Sequence, residues 1–197
     1  MEDNIAFLNG SSGFRVDVTT KAAVYITNNT SYGNNGDPYM NSGECGEITL
    51  QQSTGIHVTN NLARTKSASG CGSNPNYAFY VASGDSTDDI YSNFGYAMNG
   101  QYSGAGGSPS FSYGSNTFGT DPQFANAPEI NPGPPSCSGS TNVTNCMADT
   151  ISEFTPQNPA ATSFGYRSPT TVVANDPLFP SWVCNANVPS GLIPNHC

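Results

Sequence analysis

Charge is scarce in this chain of 197 residues. Asp, Glu, Lys and Arg make up 10% of it, and five Lys and Arg stand against 14 Asp and Glu. With a net charge of −9, too few cations are present to neutralise phosphates, which argues against nucleic acid and against an anionic membrane surface. No apolar run approaches the ~20 residues that span a bilayer, so no membrane partner is expected. Helix signals are also missing: no stretch keeps an apolar period of about 3.6 residues. No CxxC pair occurs, and only His57 and His196 could join thiolates, so no zinc pattern is present. Met1-Glu2-Asp3-Asn4 has neither a basic nor an apolar leader region. The expectation is that a signal has been removed or that the chain is a piece of something longer.

What remains is a chain of short β-branched and aromatic runs between turn residues, with ten Phe and ten Tyr to supply a core. Four stretches repeat one pattern: Asp3-Asn4-Ile5-Ala6, Asn28-Asn29-Thr30-Ser31, Asn60-Asn61-Leu62-Ala63 and Ser92-Asn93-Phe94-Gly95. Asn4, Asn29, Asn61 and Asn93 are spaced by 25, 32 and 32 residues, the mark of a stacked repeat. A 32-residue offset lays Arg15-Val16-Asp17-Val18 over Glu47-Ile48-Thr49-Leu50, and Val24-Tyr25-Ile26 over Ile56-His57-Val58. Alternation then turns Val16, Val18, Ile48 and Leu50 inward from a first face, and Val24, Ile26, Ile56 and Val58 inward from a second. A third short strand follows each Asn. The predicted fold is all-β: a three-faced parallel solenoid of about four coils, with stacked Asn side chains bonding rung to rung at the bend between the second and third strands.

VYITNNTSYGN at 24–34, IHVTNNLAR at 56–64 and NTFGTDPQF at 116–124 make the chain resemble the C-terminal coils of a right-handed parallel β-helix of the pectate-lyase-like superfamily. ISEFTPQNPAATSFG at 151–165 is similar to the capping segment that commonly follows. The resemblance implies coils over residues 1–124 and an irregular, Pro-rich C-terminal wrap over 125–197. It implies fold more than chemistry, because one scaffold carries many activities.

Long connections at 35–46 and 65–76 flank the first-strand face, where the superfamily's cleft usually lies. Each holds one cysteine, so Cys45–Cys71 is the leading pair, with Cys137–Cys146 and Cys184–Cys197 closing the tail. Six cysteines leave 15 connectivities open. Such a framework belongs to an oxidising compartment, and the chain is expected to be secreted or extracytoplasmic. The coils start in a third strand without a cap, which predicts a homodimer stacked end to end or a fraying truncated end.

On the first face the outward residues are Arg15, Asp17, Glu47, Thr49, Gln51 and, in the third coil, Tyr80, with Phe79 as the alternative if the register slips. Asp37, Tyr39 and Glu44 overhang them. Two neighbouring carboxylates with aromatics for sugar rings are what glycoside hydrolysis requires, so Asp17 and Glu47 are the predicted catalytic pair, with Glu44 as substitute. Arg15, Tyr39, Thr49, Gln51 and Tyr80 are the predicted substrate contacts. The bland reading is an inert face with an Arg15–Glu47 ion pair. A lyase reading would have Ca²⁺ held by Asp17, Glu47 and Glu44, with Arg15 or Lys66 as base. On the second face Tyr25, His57 and Asp89 share one outward row, where His57 and Asp89 could act as a base and its orienting carboxylate. A solvated ladder is the simpler reading of that row. Asp85, Asp88 and Asp89 form a loose cluster that could take Ca²⁺, though no cofactor is required. The expected function is carbohydrate chemistry: polysaccharide hydrolysis first, Ca²⁺-dependent lyase second. The competing class is a non-catalytic polysaccharide-binding or adhesive solenoid, or an inactive fragment of a larger enzyme.

Overall fold

The computed structural model describes residues 1–17, 23–37, 45–51, 55–66, 70–71, 75–81, 89–97, 105–107, 112–125 and 151–166. The predicted Tyr39, Glu44, Asp85 and Asp88, and the cysteines at 137, 146, 184 and 197, lie outside them. Strand β1 (Ile5–Phe7) is followed by β2 (Phe14–Asp17), β3 (Val24–Thr27) and β4 (Thr30–Tyr32). The next round is β5 (Gly46–Gln51), β6 (Ile56–Thr59) and β7 (Leu62–Arg64). Then come β8 (Tyr77–Val81), β9 (Asp89–Tyr91) and β10 (Phe94–Tyr96), and finally β11 (Ala105–Gly107), β12 (Ser112–Gly114) and β13 (Thr117–Phe118).

Every third strand pairs in parallel. A first sheet holds β2, β5, β8 and β11, a second β3, β6, β9 and β12, and a third β1, β4, β7, β10 and β13. The chain is therefore all-β with three parallel sheets visited in constant order, an arrangement compatible with a parallel β-helix. Residues 105–107 and 112–114 add the last strands to the first and second sheets. Their Gly, Ala and Ser have little strand propensity, and it is pairing with the open edges of β8 and β9 that makes them strands.

The asparagine ladder explains the register of the third sheet. The main-chain N–H and Nδ2 of Asn4, Asn29, Asn61 and Asn93 each donate to Oδ1 of the next Asn at 2.9–3.0 Å, and Asn116 forms the fifth rung. Nδ2 of Asn61 also donates to the carbonyls of Thr59 and Ile26. The residue before each rung (Asp3, Asn28, Asn60, Ser92 and Ser115) adopts a positive φ of 52–56°, which makes the bend. Asn29, Asn61 and Asn93 are fully buried, so each rung satisfies polar groups that would otherwise be costly.

Inside, Phe14, Val16, Ile48, Leu50, Phe79 and Val81 from the first sheet meet Ile26, Ile56, Val58 and Ile90 from the second. Each large side chain so buried contributes roughly 1.5–3 kcal/mol. The outer side of the third sheet is covered by residues 151–166: Leu62 and Phe94 pack with Ala161 and Phe164, and Tyr32 packs on Phe154 and Phe124. Arg64 lies over the Tyr32 and Phe124 rings and donates to both Asp121 oxygens at 2.9 and 3.1 Å. Gly165, at φ 81°, leaves no room for a Cβ, which would lie 2.5 Å from Thr30 Oγ1. At the opposite end, Met1–Asp3 bond along β3, so part of that sheet edge is occupied by the chain itself.

Candidate functional site

The second sheet carries its predicted row. Tyr25 is opposite His57, and His57 is opposite Asp89. The Tyr25 and His57 rings stack at 4.9 Å with 17° between their planes. His57 Nδ1 lies 3.1 Å from Asp89 Oδ2, with the side chains 29% and 35% exposed. Alternation on these strands explains the face: Ile26, Val58 and Ile90 turn inward, and their neighbours turn out. One step along lies the row Thr27, Thr59 and Tyr91, whose two threonine hydroxyls are 3.4 Å apart. Tyr25 and Tyr91 are 59% and 45% exposed. Ser112 occupies the rung after Asp89, two rungs from His57, so the register does not set a serine beside the imidazole.

Because Nδ1 meets Asp89, Nε2 is the His57 nitrogen left for a ligand. The stack on His57 covers one face of the Tyr25 ring. The surface is thus a flat array of phenol, imidazole, carboxylate and hydroxyl groups repeated at the ~4.8 Å spacing of parallel strands.

On the first sheet the register differs from the 32-residue alignment by two. Arg15 is opposite Thr49 and Asp17 opposite Gln51, while Phe14 is opposite Ile48. Thr49 is opposite Tyr80 and Ile48 opposite Phe79, so Tyr80 holds the outward position and Phe79 the core. Arg15 is paired with Asp17 at 3.2 Å and with Gln51, not with Glu47. Thr49 is not an open substrate contact; it is fully buried, 2.8 Å from Ser12 Oγ.

Glu47 is the main correction. It was expected outward beside Asp17, but it is fully buried. The two-residue shift places it opposite Gly13, whose N–H donates to its carbonyl, near the start of β5 where the chain rounds the corner from the third sheet. Its carboxylate accepts from Asn34 N at 3.0 Å, Asn34 Nδ2 at 2.6 Å and Ser31 Oγ at 2.9 Å. Burial pushes its pKa up to about 7, opposed by the Asn34 and Ser31 donors and by the charge of Lys66. A Cβ on Gly13 would lie 2.2 Å from Ser31 Oγ, so only glycine fits against this cluster. The signal missed in the sequence was the pair Ser31 and Asn34, polar residues following a ladder Asn and facing inward.

Cys45 and Cys71 form a disulfide, joining the two long connections as expected and fitting an oxidising compartment. Asn35, beside it, donates from Nδ2 to the Gly46 carbonyl and to Asn76 Oδ1. Among the described residues, no group of three His, Cys, Asp or Glu side chains could hold a metal ion, and no helix is long and apolar enough to cross a membrane. No protein-family model, no curated protein and no solved structure matches this chain.

Proposed function

We propose that this chain is an extracytoplasmic right-handed parallel β-helix of the pectate-lyase-like kind that binds neutral polysaccharide without cleaving it. The observation that carries the reading is the second-sheet face, where Tyr25 and Tyr91 are exposed and His57 and Asp89 half-buried beside the Thr27–Thr59 pair. A row of donors and acceptors repeated at strand spacing suits the regularly spaced hydroxyls of a glycan. Tyrosines add contact area with little loss of side-chain freedom. The scarcity of cations favours an uncharged polymer, since a polyuronate would need a bridging ion. The interior position of Glu47 supports binding over hydrolysis, because it separates the acid from Asp17.

The test is a panel of neutral and acidic polysaccharides, read for retention on the polymer, for new reducing ends and for absorbance of unsaturated products. Retention on a neutral polymer, weakened at least tenfold in Tyr25→Ala and Tyr91→Ala with neither product signal, is the expected result. Reducing ends that disappear in Asp17→Ala would favour a hydrolase using Asp17 with Glu44. Retention unaffected by both tyrosine substitutions would remove the second-sheet face from the reading.

A further inference from the structure

We propose that Glu47 and Ser31 form a proton-operated lock at the corner joining β4, the connection after it and β5. Ser31 Oγ stands 2.9 Å from Glu47 Oε2 and 3.1 Å from the Glu47 carbonyl oxygen. It therefore has two acceptors to choose between, and the choice follows the proton. When Glu47 is neutral, its Oε2–H donates to Ser31 Oγ, and the serine hydroxyl turns to the Glu47 carbonyl. Asn34 Nδ2 then keeps Ser31 Oγ at 2.9 Å and the Ala6 carbonyl at 3.2 Å. When Glu47 loses its proton to solvent, the serine hydroxyl turns back to donate to Oε2. The Glu47 carbonyl retains the Gly13 N–H at 2.9 Å. Neither state strands a buried polar group, which is what a reversible switch inside a closed core requires.

Among the described residues, few other charges enter. Gly13 of the turn into β2, Ala6 of β1, Ala63 of β7 and Ala78 of β8 are the nearest residues of the adjoining rows, and none titrates. Lys66, just beyond β7 and 9% exposed, brings a positive charge to bear on the carboxyl and favours its ionised form. Burial outweighs it and lifts the pKa from 4.5 to about 7. Between those values the folded chain holds a proton that the unfolded chain has released. Stability from this group is therefore complete below about 4.5, falls as pH rises, and levels off above about 7. The lock sits two residues from Cys45 and next to Gly46, which Asn35 holds, so acid tightens the corner from which both long connections depart.

The test compares the disulfide-intact full chain with Glu47→Gln, whose amide does not titrate. Melting temperatures are measured from pH 4 to pH 8. The expected result is that the wild-type chain falls steadily relative to Glu47→Gln across the window and then runs parallel to it. Parallel curves throughout would overturn the proposal. A second measurement does not depend on the variant folding: carboxyl-labelled glutamate in the native chain, followed by NMR through the same range. One of the five glutamates should titrate near neutrality, and Lys66→Met should move it higher. All five titrating in the ordinary carboxylate range would overturn the lock.

Discussion

Two carboxylates in this molecule show how differently one residue type is used. Glu47 faces the corner between the first and third sheets, shut from water and surrounded by donors. Asp89 faces solvent on the second sheet, beside an imidazole that stacks on a tyrosine. Both lie near the start of a β-strand: Glu47 is the second residue of β5 and Asp89 the first of β9. The difference is what stands against them: Ser31 and Asn34, which follow the third-sheet ladder Asn29, close over Glu47, whereas Asp89 meets the half-buried His57 on an outward row. A carboxyl packed between two sheets becomes part of the interior, and one on an outward row is available to a ligand.

The contrast can be broken most severely at the corner. Glu47→Ala takes the acceptor from the buried Asn34 main-chain N–H and leaves the space of the carboxyl empty, and should cost about 3 kcal/mol, lowering the melting temperature by roughly 6–12 °C. A loss similar to that of an exposed Asp would mean that water reaches the corner. Retaining the acid but raising the pH past its range is comparable in scale. The rise from 4.5 to about 7 corresponds to about 3 kcal/mol, lost on going from pH 4 to pH 8, a dependence that Glu47→Gln removes. Denaturant unfolding at the two pH values measures this difference.

The open row should respond much less. A double-mutant cycle on His57→Ala and Asp89→Ala should give a coupling of about 1 kcal/mol or less, shrinking with added salt. A coupling of several kcal/mol would show that this pair is as structural as Glu47. Smallest of all, Arg15→Ala and Asp17→Ala should each change stability by at most about 0.5 kcal/mol. Urea titration of the two variants would expose any larger role.

Much of this architecture was legible in residue order. The Asn spacing carries the ladder because each rung needs the same amide at the same bend, so composition at one position repeats. The row Tyr25, His57 and Asp89 lies a few residues before a rung, and the rung sets its register. Farther from a rung the signal fades. The first-sheet strands are reached through connections of unequal length, so a 32-residue alignment erred by two there while preserving the inward and outward alternation. That error left Val16 and Leu50 in the core; it was strict alternation that set Glu47 outward, and the start of β5, buried on both sides, overrides it. Strands β11 and β12 were not legible because their Gly, Ala and Ser residues become strand only against an existing edge.

The order of residues alone therefore determined the repeat, the inward and outward sides of the strands near each asparagine, and the aromatic and hydroxyl content of the second-sheet face. These are short-range properties, set by two-residue alternation and by one recurrent bend. Tertiary structure alone decided that Glu47 is inside, that Ser31 and Asn34 hold it, and that Arg15 pairs with Asp17. Whether a side chain at a corner meets water or another sheet depends on how successive rounds are packed, and no local pattern encodes that distance.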